Sequence, residues 1–468
     1  MTRPPSIPLD LWDAIPATLR PAIGVIVAGL EARVAHLEGR VADLTARSDP
    51  NSSNSSKPPS SDGPRVRPAP PTSPSGKRRG GPPGHPTHDR VLLPPDEVID
   101  HKPTHCRACH AARAGDDPEP LLDPGIELPT KPRHVTHHRR HTLTCPCCRA
   151  LTTAPPVPAA ATRFGPRLGP VTAYRSGVGR LGKRAARPLF ADVFDIPVSL
   201  GTVSKHEAAV SRAWEPIHAA AHAHAKGLDA SVDETGWTQG RAKAWLWVAV
   251  TTILTVFRIR PNRNRVAFDD LVGPTPGVLT TDRFPVYPHL DGGKRQVCRA
   301  HLRRDVQAMI DRANGGAVIG AESLAHADVL FAHGPTVRDG TRTRRWFEGT
   351  HAGWRRADVR IPLERGVGCP CARTAAVCRD LLGVESSLWT LAGRSGVEPT
   401  NNAAGRAVRH AVCGRKTSYG TDSERGSRFV ERILTVVATC RQQRRGVLDF
   451  LIQALTATTK PSLLPTGA

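Results

Sequence analysis

The chain has 468 residues, 39% of them hydrophobic, with 65 Lys and Arg against 42 Asp and Glu for a formal net charge of +23. This length predicts about three units, and the 44 prolines indicate substantial linker. The positive excess favours a polyanionic partner, whereas a membrane protein is disfavoured because no apolar run is long enough to span and no signal peptide is present.

The first predicted element is a helix over residues 16–47 that ends in a coiled-coil seam. Val recurs every seven residues at position a and Leu or Ile at position d, at Val27, Val34 and Val41 and at Ile23, Leu30, Leu37 and Leu44. This pattern favours a parallel two-stranded coil and predicts a homodimer through residues 23–44. Packing of the helix on its own chain is the alternative, which is favoured by Gly24, Gly29 and Gly39.

Residues 48–90 form a low-complexity linker rich in Ser, Asn and Pro, with the basic run Lys77-Arg78-Arg79 near its end. Nothing in this composition can bury a core, so we expect it to be disordered without a partner. The basic run either touches phosphate or belongs to a solvated tether.

Two cysteine pairs in residues 91–158 have metal-site spacing. Without a secretory signal, clustered CxxC pairs favour metal over disulfides. Two such pairs can place four thiolates tetrahedrally around zinc, which predicts a structural Zn²⁺ ribbon held by Cys106, Cys109, Cys145 and Cys148. Alternative ligands are His105, His110 and Cys147.

Residues 162–226 are predicted to be helical and to contain a helix-turn-helix. A first helix over 182–194 is followed by a turn at 195–197 and a second helix, which Ser199 or Thr202 can cap. In such a motif the second helix enters the major groove. The predicted DNA contacts are Lys183, Arg184, Thr202, Ser204 and Lys205. An ordinary helical hairpin is the alternative.

From Gly227 the pattern becomes strand-like and predicts a core over residues 227–455. Strand-like runs cover 228–232, 244–250, 253–259 and 277–282. Three antiparallel strands, a helix and a fourth strand form the opening order of a ribonuclease-H-like α/β fold. In this fold the first strand's aspartate and the end of the fourth strand lie side by side, which here brings together Asp233 and Asp282.

Paired carboxylates suit phosphodiester cleavage, in which charge develops on the attacking and leaving oxygens. Two Mg²⁺ ions about 3.5–4 Å apart can clamp both oxygens, and hard cations prefer oxygen ligands. Asp233 would bridge the ions, while Asp282 and a third carboxylate would each hold one. Glu234 should face the other way along the strand and is predicted to be structural.

Four segments of the core resemble the insertion sequence 66 family of DDE-type transposases: Asp233-Glu-Thr-Gly-Trp, Trp245-Leu-Trp-Val, Thr281-Asp-Arg-Phe-Pro-Val-Tyr and Cys298-Arg-Ala-His-Leu-Arg-Arg-Asp. The resemblance extends to the zipper, linker, zinc segment and a helical insertion at about 315–395. It implies that Asp233 and Asp282 are the first two catalytic residues, and that Cys298 and His301 are core and DNA-facing residues. It also implies two small companion proteins.

The final segment, Asn401-Asn-Ala-Ala-Gly405-Arg406, resembles the family's Asn-Asn-x-x-Glu-Arg, whose glutamate is the third carboxylate. Here that position is Gly405. Glu398 is the nearest upstream carboxylate, but seven residues span about 10 Å along a helix, and Pro399 suggests that Glu398 precedes the helix. Predicted DNA contacts in this segment are Arg406, Arg409, Arg415 and Lys416.

The sequence therefore predicts a multidomain α+β DNA transposase: a coiled-coil helix, a zinc ribbon, a helix-turn-helix and a ribonuclease-H-like core. It would bind double-stranded DNA, both element ends and target, and catalyse Mg²⁺-dependent cleavage and strand transfer in the bacterial cytoplasm, at the nucleoid. Because of Gly405, the alternative is a catalytically impaired or inactive DNA-binding protein. A related nuclease or resolvase of the same fold is a third hypothesis.

Overall fold

The computed structural model describes residues 7–48, parts of 94–119, residues 133–155, and residues 164–464 except positions 275, 288, 291, 313, 352 and 353. Nearly all of the predicted linker, including Lys77 to Arg79, lies outside the described residues, and so does Cys106.

The N-terminal region forms two helices, α1 (Leu9–Ala14) and α2 (Arg20–Ser48), so the predicted helix is present. Trp12 is buried, and the Arg20 guanidinium donates to the carbonyl of Ile15 at 3.0 Å, which ties α2 to the segment before it. Three residues of the predicted coiled-coil seam are at least half exposed: Leu30, Val34 and Leu37. The dimer itself stays a prediction.

A short antiparallel hairpin follows, formed by β1 (Thr142–Thr144) and β2 (Leu151–Thr153), with Thr142 opposite Thr153. All six strand residues are exposed. Within the described part of the chain, neither strand of this hairpin contributes a side chain to a buried core.

Four helices occupy the region predicted to be helical: α3 (Leu168–Gly177), α4 (Lys183–Phe194), α5 (Leu200–Ala213) and α6 (Glu215–Ala225). The α4–turn–α5 arrangement is the one predicted, and Ser199 caps α5 by accepting the Thr202 N–H at 3.1 Å. Phe190 and Val203 are buried in a small cluster between these two helices.

The central sheet contains five strands: β3 (Ala230–Gln239), β4 (Ala242–Val250), β5 (Thr255–Arg260), β6 (Leu279–Thr281) and β7 (Arg295–Val297). Helix α7 (Arg265–Val272) joins β5 to β6, and a 3-10 turn at Gly292–Lys294 precedes β7. The spatial order is β5-β4-β3-β6-β7, in which β3, β4 and β5 are antiparallel and β6 and β7 run parallel to β3. The predicted opening order of elements is confirmed.

The first strand is longer than the sequence predicted. It continues beyond Val232 to Gln239 because each residue from Asp233 to Gln239 is paired with β4, through a tight turn at Gly240, whose φ is +60°. Asp233 therefore lies inside a strand rather than after one.

After β7 come α8 (Arg299–Asp311) and a helical insertion, as predicted, formed by α9 (Gly316–Arg338), α10 (Arg344–His351), α11 (Trp354–Val367), α12 (Ala372–Gly383), α13 (Glu385–Leu388) and α14 (Thr390–Gly393). The insertion packs on the sheet through a cluster in which Val297 of β7 joins Phe347, Leu388 and Trp389.

The chain ends with α15 (Asn402–Ser418), α16 (Glu424–Gln442) and α17 (Val447–Thr456). Helix α15 packs on the sheet through Ala404, Val408 and Ala411. Helix α16 covers the edge strand β5, because the Thr435 and Thr439 hydroxyls accept the N–H groups of Phe257 and Thr255. A side-chain partner for a sheet edge protects it from pairing with another chain.

The helical region and the C-terminal helices share one apolar core. Trp214 and Val210, from the α5–α6 region, are fully buried in the same cluster as Ile433 and Val436 of α16 and Leu451 of α17. These two parts of the chain are therefore packed as one body. No helix within the described residues has the length and apolar character needed to cross a membrane.

Candidate active site

The two predicted aspartates lie together at one end of the sheet. Strands β3 and β6 run parallel, with Ser231 opposite Thr280. Asp233 lies two residues after Ser231 and Asp282 lies two residues after Thr280, so the two aspartates lie side by side. Burial, together with the neighbouring charges of Glu234 and Asp282, raises the pKa of Asp233 to about 7. Carboxylates that disfavour each other's charge in this way form a site that attracts cations.

Position 405 faces this pair. Gly405 lies in the N-terminal part of α15, with its N–H bonded to the Asn401 carbonyl at 3.1 Å. A Cβ atom added to Gly405 would lie 3.5 Å from the Asp233 Oδ2 atom. A side chain at this position would therefore point at Asp233, but glycine supplies no ligand.

Asn401 fixes the start of α15 against β3. Its buried side-chain amide donates to the Val232 carbonyl at 3.0 Å, one residue before Asp233. Its backbone N–H bonds the buried Cys298 thiol at 3.3 Å. This role of Asn401 was not predicted from the sequence. The available signal was the paired asparagines that precede position 405.

Glu398 lies outside α15, as the following Pro399 suggested. The residue is exposed, and its backbone carbonyl accepts the Thr280 hydroxyl at 3.2 Å. Glu398 therefore belongs to the loop that passes β6 before α15 begins.

Glu234 has a buried side chain that is bound within the protein, which fits the structural role predicted for it. Its side chain is 1% exposed and accepts Arg263 Nε at 2.8 Å and the Tyr287 hydroxyl at 2.8 Å. Burial and the charge of Asp282 raise the Glu234 pKa, while the Arg263 guanidinium opposes that shift. Glu234 thus anchors two loops around the aspartates.

The segment at the start of α8 is also close to the pair. Cys298 is fully buried, which confirms it as a core residue. His301 is partly buried, and its Nδ1 atom has no hydrogen-bond partner among the described residues. Burial and the charge of Arg304 lower the His301 pKa, while Asp282 opposes the shift.

The predicted DNA contacts of α15 differ in exposure. Arg406, Arg409 and Lys416 are exposed, on the helix that carries position 405. Arg415 is partly buried, and its Nη1 atom lies 3.4 Å from the Thr235 hydroxyl. Three cations of this helix are thus open to solvent.

Within α4 and α5, two predicted DNA contacts bind each other. Lys183 Nζ donates to the Ser204 hydroxyl at 3.2 Å and lies 3.3 Å from a Glu207 carboxylate oxygen. Thr202 is partly buried, next to the Ser199 hydroxyl. Arg184, Arg187 and Lys205 are exposed at this motif, and Lys183 is exposed as well despite its partners.

The cysteine segment contains two similar turns. The residue after the second cysteine of each pair, His110 and Arg149, has a φ of +57° and +60°. Backbone amides of Cys148 and Cys147 lower the pKa of the Cys145 thiol. Cys109, Cys147 and Cys148 are exposed free thiols. The described residues hold no complete group of three metal-binding side chains, but Cys106 lies outside them.

Two family comparisons match the chain. Residues 10–91 match a family described as "Family of unknown function (DUF6444)", and residues 183–428 match the one described as "Transposase IS66 family". No curated protein matches. The second match covers more than half of the chain and includes Asp233, Asp282 and position 405. The chain therefore belongs to the IS66 family of transposases.

Proposed function

We propose that this chain is a DNA transposase with a ribonuclease-H-like core, whose reaction is Mg²⁺-dependent cleavage at element ends and strand transfer. The observation that carries the proposal is the placement of Asp233 beside Asp282, with Gly405 oriented so that an added Cβ atom would lie 3.5 Å from Asp233 Oδ2. The alternative is a DNA-binding protein with impaired catalysis. Gly405 favours it for this copy, because the third position offers no oxygen ligand.

The acidic pair fits Mg²⁺ incompletely. Asp233 and Asp282 supply the carboxylate oxygens that hard cations prefer. The raised pKa of Asp233 indicates that its negative charge is not compensated within the protein, and a bound cation would compensate it. Bound Mg²⁺ would act as a Lewis acid on the phosphodiester. Asn401 holds α15 in place, but without a carboxylate at 405 the two-ion site lacks one ligand.

Double-stranded DNA, from both element ends and target, is the proposed partner. Exposed Arg406, Arg409 and Lys416 lie on the helix that faces Asp233, and exposed Arg184 and Lys205 lie on the helix-turn-helix. Lys183, Thr202, Ser204 and Arg415, which each have a partner within the protein, stay predicted DNA contacts. DNA binding would place the protein at the nucleoid. The two companion proteins implied by the family stay a prediction.

We expect the affinity of the full chain for duplex DNA to fall steeply with salt, with a slope of about −0.9 per phosphate contact. Arg406→Gln combined with Arg409→Gln should reduce the slope by about 2. The measurement is fluorescence anisotropy of a labelled duplex between low and moderate salt. As a control with the same charge change, Arg356→Gln with Arg360→Gln removes two arginines already paired with Glu385. A slope equal in both variants would contradict the assignment.

Zinc is proposed to hold the cysteine segment together. We expect about one zinc atom per chain in freshly purified protein, and a loss of at least half of it in Cys145→Ser with Cys148→Ser. Because the catalytic core has its own apolar interior, chelation should unfold the segment locally and leave the main thermal transition unchanged. Elemental analysis that finds under half an atom per chain would overturn the site.

A parallel homodimer through residues 23–44 is proposed because three seam residues of α2, Leu30, Val34 and Leu37, are at least half exposed. Val34→Glu with Leu37→Glu should convert the dimer to a monomer, as measured by light scattering after gel filtration. Val25→Glu is the matched control, because Val25 is 62% exposed and lies off the seam. A monomeric wild-type chain at micromolar concentration would show that α2 does not self-associate.

A further inference from the structure

A row of alternating cations and aromatic rings runs beside the aspartates. Lys243 Nζ lies 4.9 Å from the centre of the Trp245 ring, and the Arg263 guanidinium carbon lies 4.9 Å from the same ring. The Arg263 carbon is also 3.4 Å from the centre of the Phe284 ring. The order is therefore Lys243, Trp245, Arg263 and Phe284, drawn from three separate segments of the chain.

This row is tied to both aspartates. The Phe284 N–H donates to Asp282 Oδ1 at 2.9 Å. Arg263 is bound by Glu234, the residue next to Asp233. Phe284 therefore contacts Asp282 directly, and Arg263 contacts the residue next to Asp233.

An open cavity of about 440 Å³ lies at the end of the row that Arg263 and Phe284 form. That volume is within the range of about 300–1,000 Å³ typical of small-molecule sites. The described residues of its lining include guanidinium, aromatic, amide and imidazole groups, at Arg263, Arg265, Phe284, Asn264 and His289. The Arg265 side chain is 60% exposed and bonds Asp269 at 3.3 Å, which leaves its outer N–H groups toward solvent.

These groups suit a flat ring with hydrogen-bond acceptors that is joined to a phosphate. Aromatic rings and guanidinium planes stack on nucleobases without regard to sequence. The bond to Glu234 accounts for the position of Arg263, and packing on Tyr287 and the neighbouring core accounts for the partial burial of the Phe284 ring, but neither accounts for the cavity.

We propose that this cavity receives one unstacked nucleobase of the DNA strand next to Asp282. The inference rests on the proposed action on DNA and adds to it a base-holding subsite. A base held here would position the adjoining phosphodiester at the acidic pair and keep the strand from re-pairing.

The test uses the full chain and two 25-bp duplexes with five-nucleotide single-stranded overhangs, one of thymidines and one of abasic sites. Both probes carry the same phosphates, so only the bases differ. We expect the thymidine probe to bind about tenfold more tightly. Phe284→Leu should bring this ratio close to one and leave the affinity for a blunt duplex unchanged. The control is Tyr419→Leu, which removes an 83% exposed ring outside the cavity and should leave the ratio of the two affinities unchanged.

If Phe284→Leu fails to fold by circular dichroism, His289→Ala at the exposed cavity wall replaces it, and a fall of the ratio to less than half is then expected. Equal binding of the two probes by the wild-type chain would overturn the proposal, as would a full ratio retained in the cavity variant. A wild-type chain that binds no DNA probe at all, blunt duplex included, would overturn the proposed function as well as the subsite.

Discussion

Gly405→Glu is expected to increase Mg²⁺-dependent DNA cleavage by about 100-fold or more, the scale on which single charge-stabilising groups act at active sites. A Cβ at this position lies 3.5 Å from Asp233 Oδ2, so a glutamate there can place its carboxylate at a cation shared with Asp233. Asn401 already holds the start of α15 against Val232, so no rearrangement of the helix is needed. The measurement is nicking of a supercoiled plasmid that carries the DNA flanking the gene, with Mg²⁺ and with a chelator.

Two further substitutions distinguish the effect of a third carboxylate from the effect of a more stable helix α15. Gly405→Ala should stabilise α15 by about 1 kcal/mol without cleavage, and Gly405→Gln has the shape of glutamate without its charge. If either variant cleaves as well as Gly405→Glu, the effect comes from helix stability and not from a third carboxylate. Robust cleavage by the unmodified chain that Glu398→Gln abolishes would instead make Glu398 the third ligand.

The sequence was sufficient to predict the order of the sheet elements, because strand periodicity is a local signal. The two aspartates were singled out mainly by the resemblance to the family, since single Asp residues at strand ends are common. The sequence could not place the end of β3, since the extension from Asp233 to Gln239 depends on pairing with β4. The length of a strand is set by its partner, and the partner's register is a tertiary property.

The same limit applies to single side chains. Lys183 has the sequence position of a DNA contact, but in the fold it binds Ser204 and Glu207 from the next helix. The role of Asn401 depends on the carbonyl of Val232, which is remote in sequence. The apolar pattern of α16 predicts a buried face, yet only the fold shows that α5 and α6 cover it together with α17.

Asp233→Asn is expected to abolish any cleavage by the Gly405→Glu chain and to leave the affinity for duplex DNA nearly unchanged. The loss follows because an amide cannot replace a carboxylate that bridges two cations. Binding should persist because the phosphate contacts that we propose, the exposed Arg406 and Arg409, are residues other than Asp233. Nicking and anisotropy on the same plasmid-derived duplex measure both quantities, and a variant that still nicks DNA at an undiminished rate would remove Asp233 from the site.

The same substitution should stabilise the metal-free protein at alkaline pH. The Asp233 pKa is about 7 in the folded chain against a reference value of 3.8, so the folded state binds the proton more tightly and loses stability as pH rises between these values. The full shift corresponds to about 4 kcal/mol, and partial solvent access reduces this to an expected gain of about 2 kcal/mol for Asp233→Asn above pH 7. Below about pH 4 the wild-type carboxyl is protonated in both states, so the gain should vanish. Thermal melts in chelator across this range measure it, with Glu398→Gln as an exposed-carboxylate control. A melting temperature of Asp233→Asn that equals the wild-type value at pH 8 would show that Asp233 carries no uncompensated charge.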